Sequence, residues 1–153
     1  EVMAEAADDL ARRVAAAVAT TDRSQSSLRA GAAAFFEFVD ERRAAWDSLL
    51  ASDATPVRSA VERTRRRQVA LVAELLGGEV PEGAAVDDVV LEALATALNG
   101  AFEAVAQWWQ THPEWSLEEV VELVVAMTEP GLEAMAAVPA AQVTSSGRRD
   151  GRE

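Results

Sequence analysis

The sequence contains no cysteine and no lysine, one histidine, and no uninterrupted apolar run of membrane-spanning length. Without cysteine there is no disulfide framework and no thiolate metal site. That suits a reducing compartment, and the protein is expected to be cytoplasmic. The single histidine, His112, sits in a Pro-flanked loop. With no second histidine, the common zinc sites and the paired Glu-x-x-His di-iron site of helical bundles are not available. A Ser-His-Asp arrangement would have to use that one residue. There is no Gly-rich phosphate loop and no nucleophile elbow. No metal, cofactor or catalytic residue is therefore expected, and no residue pattern argues for an enzyme. No signal peptide is visible, and no membrane partner is expected. Strand patterning and internal repeats are also missing.

Charge of one sign is scarce as well. The net charge is −12, so the chain as given lacks the basic footprint of a nucleic-acid binder. All 14 positive charges are arginine. Together with the heavy use of alanine, this reads as coding bias rather than function.

What is present is helical periodicity, and the length suits one domain with a real core. The richest stretch is Asp87–Ala137, two long helices joined at Thr111-His112-Pro113-Glu114-Trp115. The first, Asp87 to Gln110, has a narrow polar stripe of Glu92, Thr96, Asn99, Glu103, Gln107 and Gln110, at steps of three and four. The rest of its surface is apolar, more than one packed face requires. The second opens with Ser116 as N-cap and Glu119 three residues on, the pattern of a capping box. Trp115 and Val120 are spaced for a hydrophobic staple. The apolar positions of this helix, from Leu117 through Met135, also exceed one face. A second copy of the chain is the natural cover, with a fully internal hairpin as the alternative. Val105, Trp108, Leu117, Val121, Val124 and Val125 are the expected dimer residues. Pro130 inside the last helix predicts a kink.

Upstream, Val2–Ala19 reads as a helix with i,i+4 pairs Asp8–Arg12 and Asp9–Arg13. Ser27–Arg43 is a second, carrying Phe35, Phe36 and Phe38; Gly31 within it suggests close packing on a neighbour. The aromatic stripe is core by default, or alternatively one wall of a small-molecule cavity. A short helix, Ala44–Ala51, holds Trp46. Thr55-Pro56 starts the next, which should run to Leu76 and stop at Gly77-Gly78. Thr64 and Gln68 fall on its otherwise apolar line, so Gln68 should find an internal partner or line a cavity. The run Arg63 to Arg67 should be a solvated face paired with nearby acids. From Pro139 onward the pattern ends, and 139–153 reads as a disordered tail behind a domain of residues 1–138.

Three features, Arg-Ala-Gly-x-x-x-Phe at Arg29–Phe35, Ala106-Gln107-Trp108-Trp109-Gln110-Thr111-His112-Pro113-Glu114-Trp115-Ser116-Leu117-Glu118-Glu119-Val120, and Gly131-Leu132, suggest a family. With the order of helices, they resemble the C-terminal regulatory domain of tetracycline-repressor (TetR) family transcription factors. The resemblance spans Val2 to Ala137. It implies an all-α antiparallel bundle of about six helices, with the last two pairing across a dimer as an intersubunit four-helix bundle. It also implies effector control of a transcriptional repressor, through a homodimer and a small, largely apolar ligand. The family's N-terminal helix-turn-helix has no counterpart here, so operator DNA would be bound only through a domain outside this sequence. The expected ligand residues are Phe35, Phe38, Trp46, Thr64, Gln68, Asn99 and Phe102. The alternatives are a stand-alone helical enzyme or lipid carrier using Glu103, and a pure oligomerisation module.

Overall fold

A computed structural model describes residues 2–21, 26–43, 55–80 and 86–137. Within them the chain is all-helical, without strands: α1 Val2–Ala19, α2 Ser27–Glu41, α3 Thr55–Glu79, α4 Asp88–Gln110 and α5 Leu117–Ala136. The short helix expected at Ala44–Ala51, with Trp46, and the tail from 139 lie outside the described residues.

The helix starts follow side-chain chemistry. Ser26 caps α2 by accepting from the backbone N–H of Arg29, and Asp87 caps α4 by accepting from Val90 at 2.9 Å. Asp87 is thus the cap, not a first-turn residue. Ser116 and Glu119 form the capping box of α5 reciprocally: Ser116 N–H donates to Glu119 at 2.8 Å, and Glu119 N–H donates to Ser116 Oγ at 3.3 Å.

One stop differs from expectation. α3 continues through Gly77-Gly78 to Glu79. A Cβ on Gly77 would meet Leu91 Cδ1 of α4 at 3.4 Å, so this glycine lies where two helices come together rather than where one ends. α5 runs through Pro130 to Ala136, the extent that its apolar pattern predicts.

α1 packs on α2 and α3, α4 on α3, and α5 mainly on α2 with a smaller contact to α4. The core forms where α2, α4 and α5 meet. Phe36, Val39, Trp109, Val120 and Val124 are its largest fully buried side chains. Phe36 meets Phe35 edge-on at 5.1 Å and Trp109 at 6.1 Å, while Phe102 sits 5.7 Å from it. Burying each such ring contributes about 1.5–3 kcal/mol. The one polar atom of Trp109 is satisfied, Nε1 donating to the Trp115 carbonyl at 2.8 Å. That bond ties the α4–α5 turn to the core.

α4 has the length and mean hydropathy, 1.4, of a membrane-crossing helix, which the sequence reading had not recognised. Only 28% of that span is buried, along the line of Ala95, Asn99, Phe102, Ala106 and Trp109.

The charged faces follow the expected pairing with one exchange. Asp9 takes Arg13 at 3.3 Å, together with Arg12 and Arg42. Asp8 reaches Arg67 on α3 at 3.7 Å instead of Arg12. Arg65 pairs with Glu103, and Arg66 with Glu62 at 3.2 Å. These arginines are spent on acids of their own chain.

Candidate functional site

α1, α2, α3 and α4, with the end of α5, line a half-open cavity of about 450 Å³. Its walls are apolar. Leu10, Val14 and Val18 come from α1, Leu28 and Phe35 from α2, Leu71 and Leu75 from α3, Leu98 and Phe102 from α4, and Leu132 from α5. Polar groups are few: Ser26 and Ser27 at the start of α2, Gln68, Asn99, and the α5 pair Glu129 and Glu133. An apolar chamber with a handful of placed polar groups is the form of a small-molecule site.

Four of the seven expected ligand residues meet there: Phe35, Gln68, Asn99 and Phe102. Gln68 is half-buried and makes no hydrogen bond among the described residues, so the cavity is what its amide faces. Asn99, at 7% exposure, is the buried polar side chain of the described core. Its Nδ2 donates to Glu103 Oε1 at 2.8 Å. Glu103 in turn accepts from Arg65 of α3, and that hydrogen bond raises the Arg65 pKa above its ordinary value. Glu103 is therefore committed to an ion pair and an amide.

Phe38 is placed elsewhere, and this corrects the sequence reading. It is buried away from the cavity lining, with the guanidinium of Arg42 over its ring at 4.5 Å and that of Arg13 at 5.6 Å. Three residues separate it from Phe35, but the ring turns toward the α1 arginine side. The Thr64 side chain and Trp46 lie outside what is described. Sequence reasoning expected the cavity to lie between Val2–Ala19, Ser27–Arg43, Thr55–Leu76 and Asp87–Gln110, but it named no side chain of the α1 wall and missed the two glutamates. Leu71 and Leu75 did show as continuing the Gln68 line. Glu129 and Glu133 had no such mark, because a glutamate on a helix is by default a wet face.

The expected dimer residues divide. Val121, Val124 and Val125 are buried inside their own chain, in one cluster with Phe36, Val39 and Trp109. These three lie on the inward side of α5, which packs on α2. Val105, Trp108 and Leu117 are half-buried at the rim of that cluster. The large apolar side chains of α5 left in water are Leu123 at 39% and Met127 at 55%, with Met135 beyond. With Pro130 and Ala134, both exposed, Leu123 and Met127 mark one line along the helix. On α4 the exposed line is Ala93, Ala97, Gly100 and Ala104.

His112 serves the turn between these helices. Its Nδ1 lies 2.8 Å from the Trp108 carbonyl, so that nitrogen carries the proton. Its ring stacks on Trp108 at 4.3 Å. Among the described residues, no three His, Cys, Asp or Glu side chains gather as a metal site.

The described residues thus form an all-helical domain with an apolar cavity and two outward apolar helix lines. Residues 24–129 match the family described as tetracyclin repressor-like, C-terminal domain. The match takes in α2 to most of α5, and the chain belongs to that family. Domains of this family are parts of transcription regulators. No curated protein matches the sequence.

Proposed function

We propose that this chain is the effector-binding and dimerisation domain of a TetR-like transcriptional repressor, controlled by a small, largely apolar ligand. The observation that carries the reading is the cavity of about 450 Å³ beside α1, with Gln68 and Asn99 facing an apolar interior. Phe35 and Phe102 supply contact area, and the two amides supply orientation. Because Leu10, Val14 and Val18 form one wall, an occupant changes what α1 rests on. A ligand that favours one setting of α1 shifts the population toward it, by no more than its differential affinity, typically about 1–3 kcal/mol. In the whole protein a DNA-reading head joined to α1 would follow that shift.

The dimer of this reading forms through α4 and α5, with Val105, Trp108 and Leu117 at the edge of the contact. Leu123 and Met127 stand at its centre in place of the inward valines. Light scattering on the purified chain tests it: a dimer at micromolar concentration is expected, becoming a folded monomer with Leu123→Glu and Met127→Glu together. Thermal shift with straight-chain alcohols and aromatic hydrocarbons tests the cavity. At least one should raise the midpoint, and Gln68→Leu should reduce that rise. If no compound acts and Gln68→Leu only stabilises, the ligand site is wrong.

A further inference from the structure

The charge and hydrogen-bonding sense of the cavity lining restrict the ligand further. Among the described residues no lysine, arginine or histidine lines the cavity, whereas two carboxylates do, Glu129 and Glu133 one turn apart on α5. The arginines next to this region are already engaged. Arg29 makes a two-pronged contact with Glu122, one bond at 2.9 Å, with Glu129 adding its field, and Arg65 is held by Glu103. Neither side chain is among the lining groups.

The amide side chain of Asn99 points the same way. A carboxylate accepts and does not donate, so Asn99 must turn its NH2 toward Glu103. That sets the opposite end of the amide as a carbonyl oxygen, which has no partner among the described residues. Glu129, Glu133 and the Asn99 oxygen thus offer acceptors or negative charge, while Gln68 and the Ser26 hydroxyl can serve in either sense. A ligand anion would meet two carboxylates, Glu129 half-buried and Glu133 exposed, with no cationic side chain among the described lining residues. A ligand cation with N–H donors would find charge and acceptors together.

We infer that the effector is a lipophilic cation, an apolar body carrying a protonated amine. The inference rests on the cavity being the effector site. In this arrangement the body fills the space between Phe35, Phe102 and the leucines of α3. The ammonium lies toward Glu129 and Glu133 on α5, and donors elsewhere on the body reach Asn99. Because Glu129 and Glu133 belong to α5, a cation there would also draw the end of α5 onto the chamber.

The test uses three ten-carbon probes of equal body: decylammonium, decanol and decanoate, titrated calorimetrically below their aggregation concentrations. Decylammonium should bind roughly tenfold tighter than decanol, and decanoate more weakly than either. Glu129→Gln with Glu133→Gln should abolish the preference for decylammonium while leaving decanol binding unchanged. Because the whole chain is acidic, a second variant with the same net charge, Glu37→Gln with Glu114→Gln, controls for the general field and should keep the preference. Decanoate binding as tightly as decylammonium would overturn the inference and leave the cavity reading intact. So would a preference lost equally in both variants, or retained in both. If none of the three binds, the cavity reading falls and the inference with it.

Discussion

Asn99 and Glu103, one helical turn apart on α4, share a hydrogen bond of 2.8 Å, and Arg65 of α3 donates to both oxygens of the same carboxylate. A surface cation is thereby linked through one acid to a buried amide that faces the cavity. The two links differ in environment. Arg65 is about half-exposed, whereas Asn99 is nearly sealed. Removing the outer link with Arg65→Gln should therefore cost only about 0.5 kcal/mol. Glu103→Ala leaves a buried amide without its acceptor and should cost about 1–3 kcal/mol. Urea denaturation of the two variants checks the order. Equal losses would mean that Asn99 finds another partner.

Trp109 anchors the junction of α4 and α5 in two ways, by area and by its bond to the Trp115 carbonyl. Trp109→Phe keeps a ring but removes the donor and leaves a void. A loss of about 2 kcal/mol is expected in guanidinium denaturation. Trp108→Phe is the comparison, since Trp108 is half-buried and a phenyl ring still stacks on His112. Its cost should stay below about 1 kcal/mol.

These sites show what periodicity conveys and where it ends. The capping box at Ser116, the helices and the burial of Phe35 and Phe36 were legible because they depend on neighbours in sequence. So was the pairing of Arg65 and Arg66 with acids. The rotation of α5 was not. Its apolar residues run around more than one face, and which face turns inward depends on the fit of Val120 and Val124 against α2, a distant partner. Val121 and Leu123 read alike in sequence, yet one is core and the other exposed. Phe38 was misplaced for a similar reason: the arginines that cover it come from α1 and the end of α2. Gly77-Gly78 read as a stop because glycine often ends helices; contact with Leu91 gives Gly77 another role.

Two carboxylates of α5 give the fold a defined response to acid. Glu119 is held below its usual 4.5 chiefly by the Ser116 backbone N–H, and Glu122 chiefly by its bonds to Arg29. A carboxylate with a depressed folded pKa binds its proton less readily than in the unfolded chain. Its contribution is therefore complete above the unfolded value and lost as pH falls through the folded one. The urea-midpoint gap between the parent and a double variant, Glu119→Gln with Glu122→Gln, isolates this part. It should be constant from pH 7 to about 5 and shrink progressively below that. A gap unchanged at low pH would show that these contacts do not depend on the charge of Glu119 and Glu122.

Gly31 separates stability from ligand room. It lies inside α2 and lines the cavity beside Val14 and Val18. Glycine in a helix interior costs about 0.5–1 kcal/mol relative to alanine. A methyl there would meet Val18 Cγ2 at 3.6 Å and Val14 Cγ1 at 3.7 Å, ordinary contact distances that demand no shift. Gly31→Ala should thus raise stability by about that amount, without the overpacking that close approach of two backbones would produce. The same methyl occupies space at the cavity wall and should weaken decanol binding. Gly78→Ala, at a position with nothing within 4 Å, is the control. It should leave decanol affinity unaltered. If Gly31→Ala stabilises and leaves decanol binding unchanged, the glycine is not holding the cavity open, and the α1 wall is not part of the site.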